Sequence, residues 1–548
     1  MKYSNKTVMR NKFSISLLVL CIFSYPLYGH NGISAGISPA TRQDTTSAVR
    51  PAEASRDSLW RVWEKEFDFI VEQIEHKYVS GRRGMSDEEW GRRLAEARAE
   101  FGKLKGTNIP RWWGWRYAAR LIEDGHFEFP DNGSFSRFEL FDENEPILPL
   151  WVQIWKDGSV YNVYDYTGTI PERSELVSIM TFRDGRCADT LSARELGRRS
   201  QSLIAGEPAY ALADGNSYHQ PDPRDWAAFS NYLSVLSVSP WKVVYKAPGK
   251  ETADTALLQG MTRKALYKLF RKTGNKHRSK EERGFPRKPI VYTNLSDGTG
   301  LLAINSFWGK RWMHMLLFGK DWRYKRLLRQ AMRRIARDGI ENLVIDVSLN
   351  TGGMTENVYY TLSYLTGKPI DIAYVYRIDD DCREHARTVL ENSRYLKEED
   401  RTYLSGYIDT VAAGTRFRTD TIRRMQYVPH RPKHRYEGNV YILSSHQTYS
   451  AAQMFVRYCQ LLGIGKVAGQ HCGGYNAVTS GNTVNVRLPS STWMDFRIPY
   501  HEEVVSSDDE PYVYPEVDIP IEHPFEEWLR RENRSLDRLL EIIRENEK

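Results

Sequence analysis

The chain has 548 residues, 41 % of them hydrophobic and 27 % charged, with a formal net charge of +7. That is the balance of a soluble folded protein with room for three or four domains, and a charge this modest does not point to a nucleic-acid partner. The five cysteines include no Cys-x-x-Cys pair, and no His-Glu-x-x-His is present; no metal framework or dense disulfide scaffold follows from them, and neither metal nor cofactor is expected.

In chain order, residues 1–30 read as a secretory signal peptide. Lys2, Lys6, Arg10 and Lys12 precede an apolar stretch, 13–25, too short for a comfortable membrane span. A lipid anchor at Cys21 is not favoured, because the bulky Leu20 precedes it where such sites want a small residue. No second apolar run has membrane length, so the expectation is an exported chain of a bacterial periplasm or cell envelope with no integral span once the signal is removed. Residues 31–55, rich in Ser, Thr, Ala and Pro, read as a linker.

Residues 56–135 read as a helical domain. Trp60, Trp63, Phe67, Ile70, Val71 and Ile74 recur at threes and fours, and further helices are expected at 87–104 and 112–123. The last runs into Asp124-Gly125-His126. Residues 140–245 read as β-rich, with strands at 150–155, 160–164 and 176–182 and turns at Asp157-Gly158 and Asp184-Gly185. Residues 246–288, with Arg271, Lys272, Lys276, His277, Arg278 and Lys280, read as a basic solvated linker.

A core is expected over 289–520. Strands at 290–292 and 301–307 precede a helix at 321–338 with Trp322, Leu327, Leu328, Met332 and Ile335 inward and its arginines outward, followed by a buried strand at 343–347. Asn350-Thr351-Gly352-Gly353 is a tight turn whose glycines let backbone N–H groups approach a ligand. An insertion at 371–437 is long enough to form a lid or a substrate wall. A second buried strand, 440–443, breaks at a polar knot, and Ser450 then opens a helix carrying Ala451, Ala452, Met454, Phe455 and Tyr458. A serine there sits among unpaired N–H groups at the positive end of a helix, which suits a nucleophile whose attack creates an oxyanion; an ordinary helix cap has the same local pattern. Strands at 484–488 and 493–498 follow, and a C-terminal helix closes the chain within 521–548, at 525–543.

Asn350-Thr351-Gly352-Gly353, Thr448-Tyr449-Ser450-Ala451-Ala452 and Gly469-Gln470-His471-Cys472-Gly473-Gly474, in this order, resemble the carboxy-terminal-processing (tail-specific) serine protease family, which includes the tricorn core. The resemblance implies an α/β core of ClpP/crotonase-like layout, an N-terminal helical domain, and a degenerate PDZ-like domain around Glu175–Ile179. Many members pair the serine with a lysine about 25 positions later. Tyr475 stands there, so the chain resembles the tricorn-like Ser/His/Glu branch rather than the Ser/Lys branch. That branch implies Ser450 as nucleophile, His126 as base and Glu510 as the acid, with Asp508, Asp509 and Glu516 as alternative acids and His446 or His471 as substitute bases. It also implies an oxyanion hole from the N–H of Ala451 and of Gly352 or Gly353. The implied function is an exported serine endopeptidase acting on proteins or peptides through an acyl-enzyme. An inactive relative that binds peptides or apolar ligands in the same cleft is the alternative, and the oligomeric state stays open.

Overall fold

A computed structural model of the chain describes residues 56–105, 117, 118, 120–127, 146–183, 186–201, 206–208, 229, 230, 233, 239–262, 264–266, 268, 269, 288–296, 298–309, 321–489, 495–505, 512–530 and 532–546. All fall within one compact unit, Ala40–Lys548. The signal-peptide and linker expectations over 1–55, the basic cluster at 271–280, and Asp508, Asp509 and Glu510 lie outside the described residues.

Helices Arg56–Lys77 and Asp87–Gly102 form the N-terminal layer. Phe67, Ile70, Val71 and Ile74 make the buried stripe of the first, and Trp60 stacks on Phe101 of the second at 4.7 Å. Ser86 Oγ accepts the Glu89 N–H, and Asp87, Glu88 and Glu89 complement the positive end of that helix. A six-stranded antiparallel sheet follows, built on Leu150–Ile154, Val160–Asp165, Glu175–Arg183, Trp241–Lys246 and Ala253–Leu258, with Arg186–Ser192 also on the third strand. Its last strand lies inside the expected 246–288 linker, which corrects that boundary. The Pro248-Gly249 turn, with Gly249 at φ 73° and Lys250 N bonded to Ala247 O, folds the chain back onto Trp241–Lys246.

The core sheet runs in the order Ile519–Pro520, Lys466–Gly469, Asn439–Ser444, Asn342–Asp346, Thr299–Ile304, Ile290–Ser296, parallel except for the last pair. Asn342–Asp346 lies mid-sheet, and its Leu343, Val344 and Ile345 are fully buried, as the continuous apolar run of a parallel strand covered on both faces requires. Asn342 to Asp346 pair in register with Asn439 to Leu443, so the Asn350–Gly353 turn and the Ser444–Tyr449 loop leave the sheet side by side at its carboxyl edge. In open α/β sheets that edge is where ligands bind.

A second, antiparallel sheet joins the insertion to the core. Strand Ile370–Ile378 pairs with Thr415–Arg418, Met425–Tyr427 and His501–Val504, and the last pairs with Ala477–Thr479. Helices Arg383–Glu391 and Glu398–Thr410 cross the insertion.

Two sequence expectations need correction. Trp322 is 60 % exposed; Tyr324, Leu328, Ala331, Met332 and Ile335 form the inward stripe of helix Trp322–Asp338, and Trp322, its first residue, falls off that stripe. The C-terminal helix is two helices, Phe525–Arg530 and Ser535–Asn546, because Asn533 Oδ1 takes the Ser535 N–H and offers the backbone a turn instead of a continued helix. Among the described residues no helix is long and apolar enough to cross a membrane.

Candidate active site

Ser450 sits where strand Asn439–Ser444 gives way to helix Ala451–Leu462, with φ 54° and ψ −126°. A non-glycine residue in that region stores about 1–3 kcal/mol of strain, so surrounding contacts must hold it. Thr448 Oγ1 donates to Val347 O, Tyr449 N bonds Asn350 O, and Ser445 Oγ donates to Ser348 O. The loop before Ser450 is thus bound to Val347 and Ser348, after strand Asn342–Asp346, and to Asn350 at the start of the Asn350–Gly353 turn.

That turn is shaped for close approach. Asn350 is fully buried; its Nδ2 donates to Ile304 O and its Oδ1 accepts the Gly352 N–H at 2.9 Å. Gly352 has φ 121°, and a Cβ on it would stand 2.9 Å from the Ser450 Cβ. The Gly352 N–H is thus engaged, while Gly353 and Ala451, the latter in the first turn of its helix, line the same cavity as Ser450.

His126 reaches this serine from 324 residues away: Nε2 lies 3.0 Å from Ser450 Oγ. Its Nδ1 lies 3.0 Å from Thr479 Oγ1, which donates at 2.9 Å to Asp124 Oδ1; Asp124 Oδ1 is itself 3.4 Å from Nδ1. An ionised carboxylate can only accept, so the Thr479 proton points to Asp124 and Thr479 Oγ1 receives the proton of Nδ1. That leaves Nε2 bare and facing the Ser450 hydroxyl. The chain Ser450–His126–Thr479–Asp124 is therefore consistent in every donor and acceptor.

Asp124 is fully buried, and burial alone would raise its pKa. The Arg83 guanidinium, 3.5 Å from Oδ2, and the hydrogen bonds with His126 outweigh that and hold it well below the usual carboxylate range. Arg83 also meets Glu207 at 3.1 Å, the Tyr78 hydroxyl at 2.7 Å and the Glu123 carbonyl. Tyr449, the residue before the serine, donates to Glu207 at 2.6 Å, accepts the Gly125 N–H at 3.0 Å and stacks on the His126 ring. Gly125 is needed there, since a Cβ would lie 2.8 Å from the Tyr449 hydroxyl. One buried polar network thus ties the histidine loop to the serine loop.

The structure brings Ser450, His126, Ala451, Gly352 and Gly353 together. Of the carboxylates expected as the acid, Glu510 lies outside the described residues and Glu516 is exposed with its carbonyl bonded to Gln460; Asp124 stands beside His126. His446 and His471 face one another, their rings 4.5 Å apart, and burial pushes His446 down to about 4. Tyr475 donates to Glu123. Thr479 escaped sequence reasoning because a threonine in a strand reads as an ordinary β-former; Asp124, two residues before the histidine, was the available signal for a carboxylate beside it. Among the described residues no cluster of three or more His, Cys, Asp or Glu could hold a metal.

A cavity of about 90 Å³ opens beside the serine. Ser450, Ala451 and Gly353 line it, and the insertion contributes Tyr374, Tyr376 and Tyr395 to its wall.

With this geometry in hand, comparison with known proteins is informative. Residues 298–497 match Peptidase family S41. The chain carries an S41 peptidase domain. It is a serine-type peptidase. No curated protein matches it. Among solved structures, the serine-to-alanine variant of CPAF aligns over 86 % of this chain and 94 % of its own, with TM-score 0.51 and 15 % identity. Mature CPAF complexed with lactacystin aligns over 86 % and 95 %, with TM-score 0.50 and 15 % identity. The likeness between the S41 peptidase domain's chain and CPAF is one of fold.

Proposed function

We propose that the chain is an exported endopeptidase that hydrolyses proteins or peptides through an acyl-enzyme on Ser450, with His126 as base. The observation that carries this reading is the 3.0 Å approach of His126 Nε2 to a strained Ser450 in the wall of a cavity. Ser450 Oγ attacks the scissile carbonyl carbon as its proton passes to Nε2. The resulting oxyanion takes the N–H groups of Ala451 and Gly353; losing one such donor typically costs about 2.7–4 kcal/mol. The intermediate collapses, the C–N bond breaks, and the proton on Nε2 goes to the leaving amine. Water then repeats the sequence and frees Ser450.

Asp124, acting through Thr479, is the acid that orients His126 in this reading, in place of the Glu510 that the family resemblance implies. Tyr475 at the lysine position supports the Ser/His/acid branch. The ClpP/crotonase-like core layout and a PDZ-like origin for the 150–258 sheet belong to the same reading, and the basic-then-apolar N-terminus supports export. The test is hydrolysis of an unfolded protein substrate by the mature chain beside Ser450→Ala. Cleavage by the parent alone supports the reading; equal cleavage by both, or none by either, refutes it.

A further inference from the structure

The wall of the cavity beside Ser450 has a chemistry that peptide hydrolysis does not use. Tyr374 pairs with Glu503 and Tyr376 with His501 across the second sheet, and Val478 lies opposite Glu503 on the other side. Residues directly opposite in an antiparallel pair share a face, so all five side chains line the cavity. Glu502, one residue along, points the other way and takes the Ser80 hydroxyl.

Glu503 is 4 % exposed and His501 6 %. Glu503 Oε1 accepts the hydroxyls of Tyr359 at 2.5 Å and Tyr458 at 2.9 Å, while Oε2 has no hydrogen-bond partner among the described residues. His501 Nε2 is buried with no partner among them either. The Asn482 amide nitrogen, which can only donate, lies 3.5 Å from His501 Nδ1, so the ring proton belongs on Nε2. The ring itself is clamped against Tyr376 at 4.6 Å and Tyr374 at 4.7 Å. A buried donor without a partner, His501 Nε2, and a carboxyl oxygen open to the cavity, Glu503 Oε2, therefore stand in the wall of one small cavity that Ser450 also lines. Leaving a buried group such as His501 Nε2 unmet costs about 1–3 kcal/mol, so its persistence calls for a ligand that meets it and, on the way, reaches Glu503 Oε2.

Resting on the peptidase reading, we propose that this cavity is the pocket for the substrate side chain next to the scissile bond, and that Glu503 and His501 make it select a neutral side chain with a hydroxyl or carboxamide. Such a group pairs with Glu503 Oε2, donating to it when it is ionised and accepting from it when it is protonated, and accepts from His501. A methyl of the same size leaves both wall groups unpaired, which is how a polar site rejects an isostere. A cavity of about 90 Å³ is smaller than the roughly 150 Å³ that holds benzene, so it favours side chains smaller than phenylalanine and tryptophan. Burial pushes His501 down to about 3 and Glu503 up to about 7, so near neutrality Glu503 is only partly ionised and is a weaker partner for a lysine than a fixed carboxylate.

The test is a peptide library with the mature chain, varied at the two residues flanking the cleaved bond and read as kcat/KM ratios for the isosteric pairs threonine against valine and glutamine against methionine. The parent is expected to favour the polar member at least tenfold at one of the two positions. Glu503→Leu, which leaves the Tyr359 and Tyr458 hydroxyls to bond each other across their 2.9 Å separation, should bring the ratio within about threefold of unity. His501→Phe, which keeps the ring stacking, should also erode it. Preference for valine, methionine, lysine or arginine, or ratios that stay unchanged in both variants, would overturn the proposal while leaving the peptidase reading intact. Absence of any Ser450-dependent cleavage would overturn both.

Discussion

Asp124→Asn separates the acid drawn from the structure from the one the family resemblance suggests. Asp124 Oδ2 faces two donors, the Tyr78 hydroxyl at 2.8 Å and the Arg83 guanidinium at 3.5 Å. Asparagine must therefore turn its carbonyl toward them, which aims its NH₂ at Thr479 and at the His126 N–H. Thr479 Oγ1 then accepts instead of donating, and its own proton turns to Nδ1. The histidine proton is driven to Nε2, where it faces the Ser450 hydroxyl as a donor and cannot act as base. A wrong tautomer of this kind lowers kcat about 10⁴-fold, equivalent to about 5 kcal/mol. The fold should lose only about 1–3 kcal/mol, because Glu207 still partners Arg83. The assay is steady-state hydrolysis of a peptide substrate, with Glu510→Gln measured in parallel and thermal unfolding as the folding check. A folded Asp124→Asn chain within tenfold of the parent would refute the tautomer argument. A 10⁴-fold loss confined to Glu510→Gln would assign the acid to Glu510.

Other substitutions probe the supporting parts. Thr479→Val keeps the shape and removes the bridging hydroxyl; kcat should fall about 5- to 150-fold, the equivalent of a buried hydrogen bond, while Thr479→Ser should recover most of it. Gly352→Ala puts a methyl 2.9 Å from the Ser450 Cβ at φ 121°, and displacement of the serine by even ~1 Å should lower kcat about a hundredfold, read from single-turnover rates. Arg83→Met leaves Asp124 and Glu207 buried without their cation, so unfolding in urea should show a loss of about 3–5 kcal/mol. Glu503 has a folded pKa raised to about 7, above an unfolded value near ~4.3, so its contribution is full below ~4.3 and is lost as pH rises through 7. Across that window the stability of Glu503→Gln should gain on the parent by about 1.4 kcal/mol per pH unit, measured by denaturant unfolding at several pH values; a constant gap would contradict the burial argument.

What could be read in advance was local. The runs around Leu343–Ile345 and Val440–Leu443 are apolar on both faces, and that pattern belongs to parallel strands wherever they occur in a chain. Ser450 and the Asn350–Gly353 turn announce themselves by standing directly after those strands. His126 was legible only through the family resemblance, since a histidine after a helix has no local mark of its purpose. Thr479 and Asp124 meet across 355 residues, a distance no periodicity reports. The pocket shows the opposite failure. His501-Glu502-Glu503 looks like a solvated strand, yet both carboxyls are buried, Glu502 against Ser80 and Glu503 against two tyrosines. Which face of a strand is wet depends on what packs over it, here the 371–437 insertion on one side and the N-terminal helices on the other. The same dependence exposes Trp322, an aromatic at a helix start.

The most direct test of an activated Ser450 is covalent labelling of the purified mature chain with a fluorophosphonate, read by mass spectrometry of the Ser450 peptide. The parent should take up one probe per chain at Ser450, Ser450→Ala none, and His126→Ala should label at least about a thousandfold more slowly. A folded parent that takes up no probe, or one whose labelling is indifferent to His126→Ala, would contradict the account.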